Sequence, residues 1–247
     1  MAIKVEFTAD DLGWDERTNL AIEHAHREGA LTAASLMLGQ PGTDHAVTVA
    51  RRNPNLRIGW HFHVCDSIPL TRAKWPWGRS AALAGLTLGC WPAARALARR
   101  EIQAQWERFT ATGLNCEFIN GHHHLHIHPF VAREMRRKVS ASFSGWVRGF
   151  AVESFAPHDD KTRKYGHLRR PAEHWLSVWA SVRRSDSLWG LDRLFSMRAD
   201  EVARAMATLP PGLHEFLFHP RREGDTDHAT LLALRSDRPK LFDSPSR

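Results

Sequence analysis

The 247-residue chain has three cysteines, Cys65, Cys90 and Cys116, an odd number with no CxxC spacing. That argues against a disulfide scaffold and for a reducing cytoplasm. No apolar run approaches the roughly eighteen residues a membrane-spanning helix needs, and the first residues lack the basic, apolar, small-residue order of a leader. A cytoplasmic protein, soluble or peripheral at the membrane, is expected. There is no internal repeat, low-complexity tract or linker rich enough to divide the chain, so one domain over 1–247 is expected, and 43% apolar content suffices for one sizeable core. No nucleic-acid motif accompanies the net charge of +7 or the pI near 9.9. The arginine pairs, such as Arg51-Arg52, Arg99-Arg100 and Arg183-Arg184, are scattered and fit a charge-decorated surface, not a nucleic-acid groove.

What is present is an alternation of strand and helix patterns. Residues 3–9 alternate like a strand and end in Asp10-Asp11-Leu12-Gly13, after which Leu20, Ala21, His24 and Ala25 fall at helical spacing up to Gly29. Strands follow at 31–38 and 56–64, with a short helix at 43–52 between them. Residues 65–97 break the pattern and read as an insertion over the site. A helix over 92–113 leads into 116–129, which reads as a strand carrying five histidines within seven residues. A helix at 131–139, a strand-like piece around Arg148, an irregular stretch at 151–185, a helix at 199–209, a strand at 214–218 and a frayed tail at 236–247 complete the chain. Strands alternating with helices imply parallel βα units.

In such folds the site forms at the carboxyl ends of the strands. Asp10-Asp11, His61 and His63, the histidines from His122 onward, and His219 all fall there. Each has a plain structural explanation, the aspartates as a helix cap and the histidines as buried hydrogen-bonding rings; their joint recurrence at strand ends does not. Metal-assisted hydrolysis needs this set: one carboxylate and two imidazoles hold a divalent ion, a second carboxylate takes a proton from water, and a histidine opposite gives one to the leaving group. Coordination of one aspartate relieves its repulsion with the other, which can then stay ionised as a base.

Five stretches taken together carry a family resemblance: Thr8-Ala9-Asp10-Asp11-Leu12-Gly13, Leu31-Thr32-Ala33-Ala34-Ser35-Leu36-Met37, Gly59-Trp60-His61-Phe62, Asn120-Gly121-His122-His123-His124-Leu125-His126 and Glu215-Phe216-Leu217-Phe218-His219-Pro220. In order and spacing, from about residue 3 to 235, the chain resembles the YdjC-like carbohydrate deacetylases, which include chitooligosaccharide deacetylase and the hopanoid-biosynthesis-associated deacetylase. The resemblance implies an α/β fold, a distorted (β/α) barrel of the glycoside hydrolase/deacetylase type. It also implies one divalent metal ion, magnesium or zinc, and removal of acetyl from an N-acetylated amino sugar. Carried over by position, Asp11, His61 and His122 would hold the metal, Asp10 would be the base and His219 the acid. Arg148 would lie near the substrate, His124 and His126 would either support the ligands from behind or face the substrate, and the shared strand face leaves His124 as the alternative ligand to His122. The chain departs from the family at Leu12, where an aromatic is usual, at Gly121, and at Arg221-Arg222, where sugar-specific members carry glycine.

The Asn120-Gly121-His122 form and the run from Leu209 to Glu215 resemble the hopanoid-associated branch more than the chitooligosaccharide branch. A glycolipid substrate would suit Trp75, Trp77 and Trp91 beside Arg72, Lys74 and Arg79 at a membrane interface, although sugar stacking or lid packing explains the tryptophans more simply, since no amphipathic helix accompanies them. The alternatives are a deacetylase of soluble chitooligosaccharides, a metal-dependent amidase or peptidase, and a non-catalytic basic binding protein. The oligomeric state, a homodimer included, is left open.

Overall fold

Strand β1 (Ile3–Leu12) is buried from Val5 onward because it is paired on both sides, with β2 (Ala33–Leu36) and β8 (Gly212–Phe218), all parallel. Continuous burial, without alternation, is what a doubly covered parallel strand requires. The computed structural model describes residues 2–139, 143–155 and 160–235, with backbone alone for 160–166; the tail read as frayed lies outside them. Between β1 and β2 runs α1 (Glu16–Arg27), whose first turn is capped by the Asp15 side chain accepting from Thr18 N at 2.8 Å. Helix α2 (Thr43–Arg52) leads to β3 (Arg57–Phe62), α3 (Ala81–Cys90) and α4 (Pro92–Ala111) to β4 (Phe118–Gly121), and α5 (Pro129–Lys138) to β5 (Trp146–Val147). Beyond these lie α6 (Asp160–Trp175), β6 (Arg183–Arg184), β7 (Ser187–Trp189), α7 (Ala199–Met206) and, after β8, α8 (Thr226–Leu234).

The described strands form one parallel sheet in the order β6-β5-β4-β3-β2-β1-β8-β7. Its edge strands β6 and β7 are consecutive in the chain, separated by Ser185 and Asp186 alone. The sheet therefore curls until its edges meet: Ser185 N donates to Val147 O (3.1 Å), Asp186 N to Leu213 O (2.7 Å) and Leu188 N to Ala151 O (2.9 Å), and Val152 bridges Leu188. This is the distorted barrel expected from the sequence. One face of β1 puts Phe7 edge-on against Phe216 and Phe218, at 5.6 and 5.5 Å. The other face carries Glu6, Thr8 and Asp10 into a buried polar interior.

Several local expectations need correction. The histidine stretch is not a strand beyond Gly121: His122–Ile127 form a 3-10 turn in which His123 and His124 are left-handed, with φ of 50° and 57°. Alternation of His122, His124, His126 and His128 on one face therefore fails. A Cβ on Gly121 would sit 3.0 Å from His126 N, so glycine lets the turn fold back on the strand. The stretch expected to be irregular at 151–185 holds α6, obscured in sequence by Pro171 inside it. The insertion at 65–97 contains the uncharged helix α3. There Trp75 and Trp77 are buried and stacked on each other, with indole N–H groups given to Ser67 Oγ (3.1 Å) and Val64 O (2.6 Å). They pack the insertion onto the barrel and do not face a membrane. Among the described residues no single helix is long and apolar enough to cross a membrane.

Candidate metal centre and active site

In a regular strand two consecutive side chains point to opposite faces. Asp10 and Asp11 escape this because the register of β1 against β2 shifts between Ala9 and Leu12 and Asp11 adopts a left-handed φ of 66°. Such a bulge re-aims a side chain at about 1–3 kcal/mol of local strain. Both carboxylates thereby reach one site.

Asp11 Oδ1 lies 3.0 Å from His122 Nδ1 and 3.3 Å from His61 Nε2, all three residues buried. These are contacts without hydrogen-bond alignment: both Asp11 oxygens and His61 Nε2 are buried with no hydrogen-bond partner. Ligands around one tetrahedral zinc, with bonds of about 2.0–2.2 Å, stand about 3.3 Å apart, so the donor set fits a divalent ion. The structure brings His122, not His124, to this cluster. The tautomer of His61 is set from behind. Asn120 Nδ2 donates to Asp10 Oδ1 (2.9 Å), so Asn120 Oδ1 accepts from His61 Nδ1 (2.7 Å), leaving the Nε2 lone pair toward Asp11. Burial works against protonation of His61, but the charges of Asp10 and Asp11 outweigh it and raise the pKa.

Asp10 is held from below. Arg148 donates to it twice, Nη1 to Oδ2 at 2.6 Å and Nη2 to Oδ1 at 2.9 Å, and twice to Glu215, Nε to Oε2 at 3.0 Å and Nη2 to Oε1 at 2.6 Å. Ser35 Oγ adds a further bond to Asp10 Oδ1 at 2.8 Å. Burial would push the Asp10 carboxyl up; the Arg148 charge, with His61, overrides it and holds Asp10 far below the usual carboxylate range. Glu215 goes the other way, since burial outweighs its share of Arg148. Arg148 is 0% exposed. Its expected place against the substrate is thus not where the structure puts it: the guanidinium is enclosed between two carboxylates and braces Asp10. Glu215 was not legible as a partner from sequence, although a lone acid leading into the apolar run Phe216-Leu217-Phe218 was a usable signal.

His219 closes the opposite side. Its main-chain N donates to Asp227 Oδ2 (2.7 Å), its ring lies 5.3 Å from that of Phe195, and burial draws its pKa down to about 4 against the opposing charges of Asp11 and Asp10. His124 is half-buried beside Phe150, its pKa driven well down by burial and Arg148. His126 is buried, with Nε2 3.2 Å from Arg148 O, so of its two expected places the geometry fits the supporting one. Arg221, at a position where the chain departs from the family, also reaches the site: its Nη2 is 2.9 Å from Asp11 Oδ2, and its guanidinium lies 5.1 Å from the Trp14 ring and 5.4 Å from Phe195. Beside it opens a cavity of about 390 Å³ lined by Trp14, Arg17, Thr18, Arg221 and Arg222. A larger cavity, about 670 Å³, lies at the other end of β1 by Ala2 and Lys4, away from this chemistry.

A carbohydrate deacetylase of Brevibacillus brevis is 33% identical over 138 residues, 52% of each chain. One of Geobacillus stearothermophilus is 36% identical over 131 residues, 50% of each. The chain thus spans about half the length of the curated relatives it matches. Among solved structures, a protein of Enterococcus faecalis provisionally named for cellobiose-phosphate cleavage superposes with a TM-score of 0.62 at 16% identity, covering 97% of this chain and 92% of that one. A lactam utilization protein of Thermus thermophilus gives 0.51 at 15% identity, covering 96% of each. At these identities the structures speak for the fold alone. The profile of YdjC-like proteins matches residues 4–240, every strand of the barrel and both faces of the site included, and the chain belongs to that family.

Proposed function

We propose that this chain is a metal-dependent carbohydrate deacetylase that hydrolyses the N-acetyl group of an amino sugar. The observation that carries the proposal is the pairing, at one barrel mouth, of the Asp11, His61 and His122 donor set with an Arg148-braced Asp10. Asp11, His61 and His122 hold the ion, and one carboxylate with two imidazoles suits zinc better than magnesium, which prefers oxygen. When bound, the ion supplies Lewis acidity toward the amide carbonyl.

Asp10 acts as the base. Oδ1 already accepts from Ser35, Asn120 and Arg148, whereas Oδ2 accepts from Arg148 alone, so Oδ2 is the atom that takes the proton from the attacking water. Strong bracing keeps Asp10 ionised but lowers its basicity; Glu215 moderates this by taking a share of the same guanidinium. His219 gives the proton to the departing amine. With a pKa of about 4 it is neutral at rest, so it must gain that proton during turnover, and the proton removed by Asp10 is the source. One water is consumed, and acetate and a free amine result.

The finer reading is an N-acetylglucosamine carried on a hopanoid. It is supported by the Asn120-Gly121-His122 form and by the exposed Leu83, Leu86 and Trp91, an apolar surface for a lipid aglycone; the buried Trp75 and Trp77 add nothing to it. Three free cysteines accord with a cytoplasmic setting. The test is acetate release from N,N′-diacetylchitobiose and from a lipid-linked N-acetylglucosamine, with chelated and metal-restored protein side by side. Metal-dependent acetate from either establishes the deacetylase, and the preferred substrate selects the branch. No acetate from both, with the ion demonstrably bound, rejects the proposal in favour of another amide.

A further inference from the structure

A second set of metal-ligand atoms stands at the mouth, outside the residues assigned above except for one. Asp66, in the loop after β3, and His123, in the 3-10 turn, both adopt left-handed backbone, with φ of 47° and 50°. Non-glycine residues held there carry strain that ordinary turns avoid. Between them Asp66 Oδ2 and His123 Nε2 make a hydrogen bond of 3.2 Å, which an ion would replace, while Arg79 pairs with Asp66 Oδ1. That 3.2 Å is close to the spacing of about 3.3 Å between two ligands of one tetrahedral zinc. The His122 ring lies 4.3 Å from that of His123, centre to centre, and Asp66, His122 and His123 each offer a ligand atom within 4.8 Å of the others. His122 is 92% buried; its Nδ1 faces Asp11, and its Nε2 is buried without a hydrogen-bond partner.

We propose that Asp66, His123 and Nε2 of His122 form a second divalent-cation site, of zinc type, so that His122 is shared between an inner ion held with Asp11 and His61 and an outer ion held with Asp66 and His123. One carboxylate and two imidazoles again match zinc. The outer site is more open, since the His123 side chain is 39% and that of Asp66 20% exposed, and it leaves coordination positions to water. Filling both nitrogens of His122 expels the remaining ring proton to solvent, which makes the outer ion the weaker of the two. The inference is independent of which acyl group the site removes.

The test is calorimetric titration of the metal-stripped full chain with Zn2+, repeated with Co2+ and followed by visible absorption. Wild type is expected to take up two equivalents, the second more weakly. Asp66→Asn and His123→Asn, both chosen because asparagine tolerates left-handed backbone, are expected to weaken the second step at least tenfold and keep the first. Asp11→Asn should instead lose the tight step, which separates a failure of the inner assignment from a failure of this one. A single equivalent in wild type, or a second equivalent that persists undiminished in both outer variants, overturns the proposal.

Discussion

Replacing Arg148 by methionine removes the guanidinium that bridges two buried carboxylates, and the consequence can be worked out. Arg148 is 0% exposed, as is the Glu215 side chain, and that of Asp10 is 3% exposed, so no solvent screening discounts the interaction. The chain of bonds Glu215–Arg148–Asp10 ties the residue after β5 to the neighbouring strands β1 and β8, 138 residues apart in sequence for the Asp10 pair. Breaking a buried pair by removing one partner costs about 3–5 kcal/mol, which at about 1.4 kcal/mol per decade lowers the folding constant between a hundred- and a few-thousand-fold. Asp10 would also lose the charge that holds its pKa down, becoming part-protonated where it should accept a proton. Urea denaturation of Arg148→Met beside wild type reads the stability, and acetate release reads the activity. The double variant Arg148→Met/Glu215→Gln should recover about 1–3 kcal/mol of the loss, because neutralising Glu215 relieves the repulsion that the single variant creates. A cost below about 1 kcal/mol, or strict additivity in the double variant, would refute the account of Arg148 as the neutraliser of both acids.

Asp10→Asn should retain the bound ion and lose about 10²–10⁴-fold in turnover, whereas His61→Ala or His122→Ala should lose the ion as well; metal content by mass spectrometry with rates on the same samples separates the two. Asp227 is raised by burial from 3.8 to about 6, so the folded state binds its proton more tightly than the unfolded. Stability from this group is therefore full below about pH 4 and lost as pH rises through 6, about 3 kcal/mol in all. The difference between wild type and Asp227→Asn in denaturation midpoint should follow that window, and a flat difference between pH 4 and 7 would count against it. Gly59→Ala should destabilise by about 1–3 kcal/mol, since a Cβ there meets the Phe118 ring at 2.5 Å, and that ring is itself stacked on Trp146; an unchanged melting temperature would show that the ring yields freely.

The sequence by itself determined what is local. Asp15 with the apolar spacing of α1 and the span of α2 follow from periodicities and caps that act over a few residues, and the helix-strand order then places Asp10, His61 and His219 at strand ends, although β1 itself runs on through Asp10 and Asp11, which read in sequence as a turn. The resemblance of five collinear stretches named the family and, with it, the candidate ligands. Tertiary structure decided everything that depends on distant chain segments meeting. Alternation along 116–129 predicted a histidine face that the turn at His123 and His124 abolishes, because packing of His126 against Gly121 outweighs the strand pattern. The bulge that turns Asp10 and Asp11 into one site arises from pairing with β2, and no window around residue 10 contains it. Strands β6 and β7 are two and three residues long and exist because the barrel closes on them. The resemblance places Arg148 near the substrate; only the arrival of the adjacent strands β1 and β8 beside it shows that its N–H groups are taken by Asp10 and Glu215, since a guanidinium at 0% exposure must be paired.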